Sequence, residues 1–211
     1  MKIGILFDLD GTLLDTLGDL TDATNYALRT HGYPERSIGE IRSFVGNGAA
    51  NQMRLSVPEG TDYEPVLATY KPYYDAHCQI KTAPYPGVLD ALAELKDYPM
   101  AVVSNKPHSA VTVLSKQYFG DLYARGEQPD CPRKPAPDMI YLTMEALGVE
   151  KCVYVGDSEV DVLTAKNAGV PCLSVLWGFR DRDEVGGTHF CENVADLPRM
   201  LEDMIRDLTA I

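Results

Sequence analysis

Residues 3–7 form a short apolar run, partly β-branched, that stops abruptly at Asp8-Leu9-Asp10-Gly11-Thr12-Leu13. A run of this length bounded by a turn signal reads as a buried strand in the middle of a sheet. Asp8 then falls at the C-terminal edge of that strand, where open α/β sheets keep their chemistry. Side chains alternate along a strand, so Asp8 and Asp10 point the same way while Leu9 turns into the core. Two like charges that close repel, and the pair needs a compensating cation. Gly11 permits a sharp turn and lets backbone amides approach an anion. An Asp-Gly step is also an ordinary turn signal, so the weight comes from polar strand ends farther along the chain.

Further strand-like runs occur at residues 100–103, 122–124, 152–155 and 171–176, most of them separated by helical patterns. That alternation predicts a parallel sheet with right-handed crossovers. Between the first two strands, however, lies far more chain than one crossover helix needs. Residues 16–30 have helical spacing through Leu17, Leu20, Ala27 and Leu28, and stop at His31-Gly32. Ser37-Ile38-Gly39-Glu40 is a capping box opening a second helix. Gly46-Asn47-Gly48 interrupts the chain, residues 49–55 resume as a helix, and residues 63–77 form an aromatic-rich helix with a kink expected at Pro72. Residues 88–96 then supply the crossover back to the sheet. The expected architecture is α/β: a parallel-sheet, Rossmann-like core of residues 1–15 and 84–211, with a small helical cap domain, residues 16–83, inserted after the first strand.

A chain of 211 residues is long enough for a well-buried core of this kind. Its net charge of −12 argues against nucleic acid or an anionic membrane surface as partner. The same charge means that an anionic substrate must be drawn in by a local field. No apolar run approaches membrane-spanning length. The five cysteines contain no paired C-x-x-C, which fits a reducing cytoplasm, and the four histidines show no zinc-ligand spacing. Either a monomer or a homodimer is compatible with the sequence.

Three further strand ends carry polar groups. Residues 100–103 run into Ser104-Asn105-Lys106-Pro107, where a hydroxyl and free amides at a strand-to-helix turn suit a phosphate. Arg133-Lys134-Pro135-Ala136-Pro137-Asp138 holds a lysine in a loop stiffened by prolines. Residues 152–155 close on Gly156-Asp157-Ser158-Glu159-Val160-Asp161, with Asp157 beside Asp8 if the two strands are neighbours. Each has a plain alternative: a helix cap at Ser104 or Asp157, a solvated turn lysine at Lys134, a helix-dipole carboxylate at Asp161. All of them in this order at C-terminal strand edges favour one shared site.

These four segments together resemble the haloacid dehalogenase superfamily over nearly the whole chain, with no departure at Asp8, Asp10, Lys134 or Asp157. Phe44-Val45-Gly46-Asn47-Gly48-Ala49 and Leu176-Trp177-Gly178-Phe179-Arg180 resemble its phosphoglycolate phosphatase group. The resemblance implies a phosphatase in which Asp8 attacks phosphorus and forms an aspartyl-phosphate, and Asp10 serves as general acid and base. It implies Mg²⁺ held by Asp8, the Asp10 carbonyl and Asp157. Ser104, the Asn105 amide and Lys134 would bind the phosphate oxygens, and Asp161 would orient Lys134 or a metal-bound water. The leading expectation is hydrolysis of a small phosphorylated metabolite such as 2-phosphoglycolate. A carboxylate on it needs a cation near the cap, for which Arg42, Arg54 and Lys106 are candidates, with Gly46, Asn47 and Gly48 as further cap contacts. A phosphomutase of the β-phosphoglucomutase type shares every core residue, and a pyrophosphatase or nucleotidase of the same superfamily is a further alternative. Dehalogenase chemistry, phosphonate hydrolysis and a silent binding protein rank below these.

Overall fold

The computed structural model describes residues 2–210. In chain order it comprises β1 (Ile3–Phe7), β2 (Leu14–Asp15), α1 (Leu17–Thr30), α2 (Ile38–Phe44), α3 (Gly48–Ser56), α4 (Glu64–His77), β3 (Ala83–Pro84) and α5 (Val88–Glu94). Next come β4 (Met100–Pro107), α6 (His108–Phe119), β5 (Tyr123–Glu127), α7 (Asp138–Leu147), β6 (Lys151–Gly156) and α8 (Glu159–Ala168). The chain closes with β7 (Cys172–Val175), α9 (Arg182–Val185), β8 (Phe190–Cys191), a 3₁₀ turn at Val194–Asp196 and α10 (Leu197–Thr209).

Six strands form one sheet in the order β5-β4-β1-β6-β7-β8, and every neighbouring pair is parallel. Parallel strands buried on both faces explain why β1 is apolar throughout, with all five of its residues buried. Ile5 and Phe7 pack into the larger apolar cluster on one face, whereas Leu6 joins Met139, Ile140 and Tyr154 on the other. The chain leaves β1 toward β4 and β5, then returns across β1 to β6. The strand order therefore reverses at β1, and a crevice opens at the carboxyl ends there.

The excess chain between β1 and β4 forms α1–α4. They are bracketed by β2 and β3, which pair antiparallel as Leu14 with Pro84 and Asp15 with Ala83. Buried Asp19 fastens this neck: its carboxylate accepts the Thr82 N–H at 2.9 Å, the Thr82 hydroxyl at 2.8 Å and the Lys81 N–H at 2.9 Å. Within the helices the capping box forms as the sequence predicts. Glu40 accepts the Ser37 N–H at 2.8 Å, and the Ser37 hydroxyl accepts the Glu40 N–H at 3.3 Å. α1 and α4 pack through Tyr26 and Tyr73, stacked 3.8 Å between ring centroids. Helix α4 carries Pro72 inside its span.

Two local expectations are corrected. The second sheet strand does not stop at Val103 but continues to Pro107, with a register shift between those residues. β5 runs alongside as far as Glu127, so Ser104, Asn105 and Lys106 lie buried in a strand end rather than on an open turn. Proline, with no N–H to donate, ends the ladder. Beyond residue 176 the apolar runs predict no further element, yet the chain there supplies α9, β8 and α10. Leu197, Leu201 and Ile205 recur at helical spacing and are buried.

Leu9 is wholly buried, between two residues that face the crevice. Leu9→Ala is expected to cost about 2–5 kcal/mol, read by urea denaturation. A loss below about 1 kcal/mol would show that the alternation places little weight on Leu9.

Candidate active site

Strand pairing assembles the site. The Asp8 N–H donates to the Val155 carbonyl at 2.8 Å, extending the β1–β6 ladder by one residue and bringing Asp8 beside Gly156-Asp157. Gly11, at φ 81°, turns the chain away immediately afterwards. A Cβ at Gly11 or at Gly178 would collide with the Asp157 carboxylate, so the backbone closes tightly around that side chain.

Lys134 is the centre of the charge arrangement and is 2 % exposed. Its ammonium lies 2.9 Å from Asp8 Oδ1 and donates to Asp161 Oδ1 at 2.7 Å and to the Tyr154 hydroxyl at 3.0 Å. Tyr154 in turn donates to the Val103 carbonyl at 3.0 Å. Asp161 is fully committed, because its other oxygen accepts the Ser158 N–H at 3.1 Å and hydroxyl at 2.6 Å. Burial would lower the Lys134 pKa, but Asp161 and Asp8 hold it well above the usual lysine range.

Asp10 has different partners. Its Oδ1 accepts the Thr16 hydroxyl at 2.6 Å, and its Oδ2 accepts the Lys106 ammonium at 2.9 Å. Lys106 also sits over the Tyr74 ring, 4.7 Å from the centroid. Ser104 is buried and accepts the Lys106 N–H at 3.3 Å. The Asn105 side chain holds two loops together. It donates to the Gly46 carbonyl at 3.0 Å and the Lys134 carbonyl at 2.9 Å, and accepts the Lys134 N–H at 2.8 Å.

Carboxylate oxygens of Asp8, Asp157 and Asp161 lie within 4.8 Å of one another. Hard oxygen donors of this kind suit Mg²⁺. Asp161 is occupied by Lys134 and Ser158, which leaves Asp8 and Asp157 as the side chains that fit a divalent cation. Asp8 Oδ1 is buried without an aligned hydrogen-bond donor among the described residues, despite its ion-pair contact with Lys134. Burial raises the Asp8 pKa to about 7, against the opposing pull of Lys134. Burial, then Asp161 and Asp8, raises that of Asp157. Two carboxyls this reluctant to ionise together fit a site that takes up positive charge.

A cavity above these groups is lined by Asp8, Asp10, Ser104, Lys106, Asp157 and Arg180 from the sheet side. Gly46, Gly48, Ala49, Gln52 and Tyr70 line it from the helices. The room left for solvent-sized occupants is about 30 Å³. Of the cap residues singled out in the sequence, Gly46 and Gly48 line the cavity, but Asn47, Arg42 and Arg54 are not among its lining residues. Arg42 instead points to Asp181 at 3.5 Å, and Arg54 donates to neighbouring Asn51 at 2.8 Å. Their helical phase turns them outward, which residue type alone does not reveal. Lys106 lines the cavity, and so does Arg180, a residue that the sequence marks only as part of the Leu176–Arg180 resemblance. Helical or strand periodicity gives no signal for a guanidinium on a loop.

This arrangement, a parallel sheet with carboxylates at its strand ends and a helical insertion above them, is that of a class of hydrolases. The chain belongs to the haloacid dehalogenase-like hydrolases, whose sequence profile matches residues 5–175. It is similar to a phosphoglycolate phosphatase of Rhodobacter capsulatus, 34% identical over 192 residues, covering 85% of this chain and 87% of that one. A phosphoglycolate phosphatase of Pseudomonas aeruginosa is 33% identical, covering 97% of this chain and 77% of its own. A crystal structure from Lactobacillus delbrueckii subsp. bulgaricus, provisionally described as a phosphoglycolate phosphatase, superposes with a TM-score of 0.88 at 37% identity. That match covers 94% of this chain and 97% of the other.

The raised Asp8 pKa has a sign that can be measured in metal-free protein. A carboxyl that titrates near 3.8 when unfolded and about 7 when folded binds more protons in the folded state between those values. Its contribution to stability is full below the lower value and is lost as pH rises through the upper one. With chelator present, the wild-type melting temperature is expected to fall more between pH 5 and pH 8 than that of Asp8→Asn. Equal falls would show that Asp8 ionises freely in the fold.

Proposed function

We propose that this hydrolase is a Mg²⁺-dependent phosphomonoesterase of small phosphorylated acids of the 2-phosphoglycolate type. The observation that carries this reading is the placement of Asp8: buried, in contact with Lys134, and beside Asp10 and Asp157 under a small cavity that Lys106 and Arg180 also line. The names of the relatives at about a third identity support the substrate class.

In this reading Asp8 attacks phosphorus in line and carries the phosphoryl group as an aspartyl-phosphate. Lys134, the Ser104 hydroxyl and the Asn105 backbone amide meet the charge that spreads over the non-bridging oxygens. Asp161 and Tyr154 hold Lys134 in register for that task, as supporting partners do in other charged sites. Asp10, steadied by Thr16 and Lys106, protonates the departing alkoxide and later takes a proton from the attacking water. Asp8, Asp157 and the Asp10 carbonyl would hold Mg²⁺, which when bound offsets repulsion between the phosphate and the carboxylates.

Residues 16–83 serve as a cap over a core of residues 1–15 and 84–211, with the β2–β3 ribbon as neck. A space of about 30 Å³ holds a water or two, and in this reading the cap moves to admit a phosphate ester. Of the two cations that line the cavity, Arg180 donates to several carbonyls, whereas Lys106 donates, among the described residues, to Asp10 alone, so Lys106 is the one that would meet a substrate carboxylate.

Asp8→Asn is expected to remove turnover while retaining the fold, and acid-quenched wild-type protein is expected to carry phosphate on the Asp8 peptide. Label on another residue, or turnover retained in Asp8→Asn, overturns the nucleophile assignment. Activity across a panel of phosphorylated acids, sugars and nucleotides tests the substrate class, and a preference for neutral sugars over 2-phosphoglycolate overturns it.

Lys106→Met separates the carboxylate contact from general damage. Loss of a charge-assisted hydrogen bond is expected to lower kcat/KM for 2-phosphoglycolate by roughly ten- to a hundredfold more than for ethyl phosphate, an alkyl ester that needs the same acid but has no carboxylate. Equal losses on both would leave Lys106 as a partner of Asp10 only.

A further inference from the structure

The loop after β7 runs from the acid cluster directly to the helices above it. The Trp177 indole N–H donates to the Thr12 carbonyl at 3.0 Å, and the Phe179 N–H donates to Asp157 Oδ2 at 2.6 Å. The next residue, Arg180, is 8 % exposed. Its guanidinium donates to the carbonyls of Arg42 at 2.8 Å, Val45 at 2.8 Å and Ser43 at 3.3 Å, and through Nε to Glu159 at 3.2 Å.

Those carbonyls belong to the end of α2 and the residue after it. The last carbonyls of a helix have no partner within it and carry the negative end of its dipole. Here they are satisfied by a cation more than a hundred residues away, rooted in the sheet. A planar fork with five donors can span several carbonyls at once, which a lysine ammonium cannot do in the same way. Cation and carbonyls face one another in a buried setting, where unpaired groups are costly.

We propose that Arg180 is a positioning residue: it latches α2 and the loop to α3 onto the sheet and so holds the cavity over Asp8 closed. Its base is fixed to Asp157 through Phe179, so the latch and the acid cluster share one stretch of backbone. The inference rests on residues 16–83 acting as a moving cap, but not on the identity of the substrate.

Hydrogen exchange on the full-length protein reads the latch without any substrate. In Arg180→Gln, amides of residues 41–48 are expected to exchange roughly ten- to a hundredfold faster, the effect of one or two lost charge-assisted hydrogen bonds. Amides of β1 and β6 are expected to keep wild-type exchange. Turnover of p-nitrophenyl phosphate is expected to show a lower kcat without a higher KM, because closure follows binding. Arg180→Lys keeps the charge but not the fork and is expected to exchange faster than wild type over the same residues. Unchanged exchange at residues 41–48 in Arg180→Gln, or wild-type exchange in Arg180→Lys, overturns the latch. Faster exchange spread evenly through the sheet does so too. Should Arg180→Gln fail to fold, Glu159→Gln removes a half-exposed partner of the guanidinium. It is expected to speed exchange at residues 41–48 by a few-fold, and no change there overturns the proposal. A wild-type protein inactive on every phosphate ester would sink the functional reading while leaving the exchange result to decide the latch.

Discussion

One ammonium group, that of Lys134, makes the rest of the site tenable. Four carboxylates, Asp8, Asp10, Asp157 and Asp161, converge at the carboxyl edge of a parallel sheet. Ionised groups in such a setting are stable only when paired and hydrogen-bonded. Lys134 contacts Asp8 and Asp161 and donates to Tyr154, while Lys106 answers Asp10. Among the described residues Asp157 keeps a single donor, the Phe179 backbone N–H. The excess of negative charge is thus concentrated at Asp8 and Asp157, the pair whose carboxyls burial most clearly discourages from ionising.

Asp161 shows how one residue can serve local and tertiary structure together. One of its oxygens completes the N-terminal turn of α8 through Ser158, and the other holds Lys134. Its helix-end role and its role beside the lysine are therefore not alternatives. Asn105 does something similar: its side chain ties the Lys134 loop to Gly46, so the lysine position and the helix-to-helix loop are set by one amide.

The parts of the fold legible in the sequence are those governed by short-range rules. Apolar runs locate five of the six sheet strands, and the Ser37–Glu40 pair locates the start of α2. The order of charged strand ends is enough to bring Asp8, Asp157 and Lys134 together. Signals fail where a long-range partner decides. β2 and β3 have two residues each and no pattern to read. The extension of β4 through Ser104, Asn105 and Lys106 depends on β5 lying alongside. Arg42 and Arg54 look suitable by charge, but a helix shows only part of its surface to a cavity. Arg180 is the opposite case, a loop residue made important by carbonyls far away in the chain. The spacing of Leu197, Leu201 and Ile205 is readable in principle and locates α10 once the apolar positions are followed to the C-terminus.

The neck has a consequence for how such a chain can change. β2 and β3 lie side by side, so the helical segment leaves the sheet and rejoins it at almost the same point. Whatever is strung between those two strands imposes little closure strain on β1 or β4, whose register is set by their own ladders. The neck is in effect a socket. Segments of different length or build could occupy it while the acid cluster beneath stays in place. The contacts to be made anew with each replacement include the fastening that Asp19 makes within the insert, the Asp75 and Thr82 acceptors for Ser109 and Tyr118, and carbonyls presented to the waiting guanidinium and to Asn105.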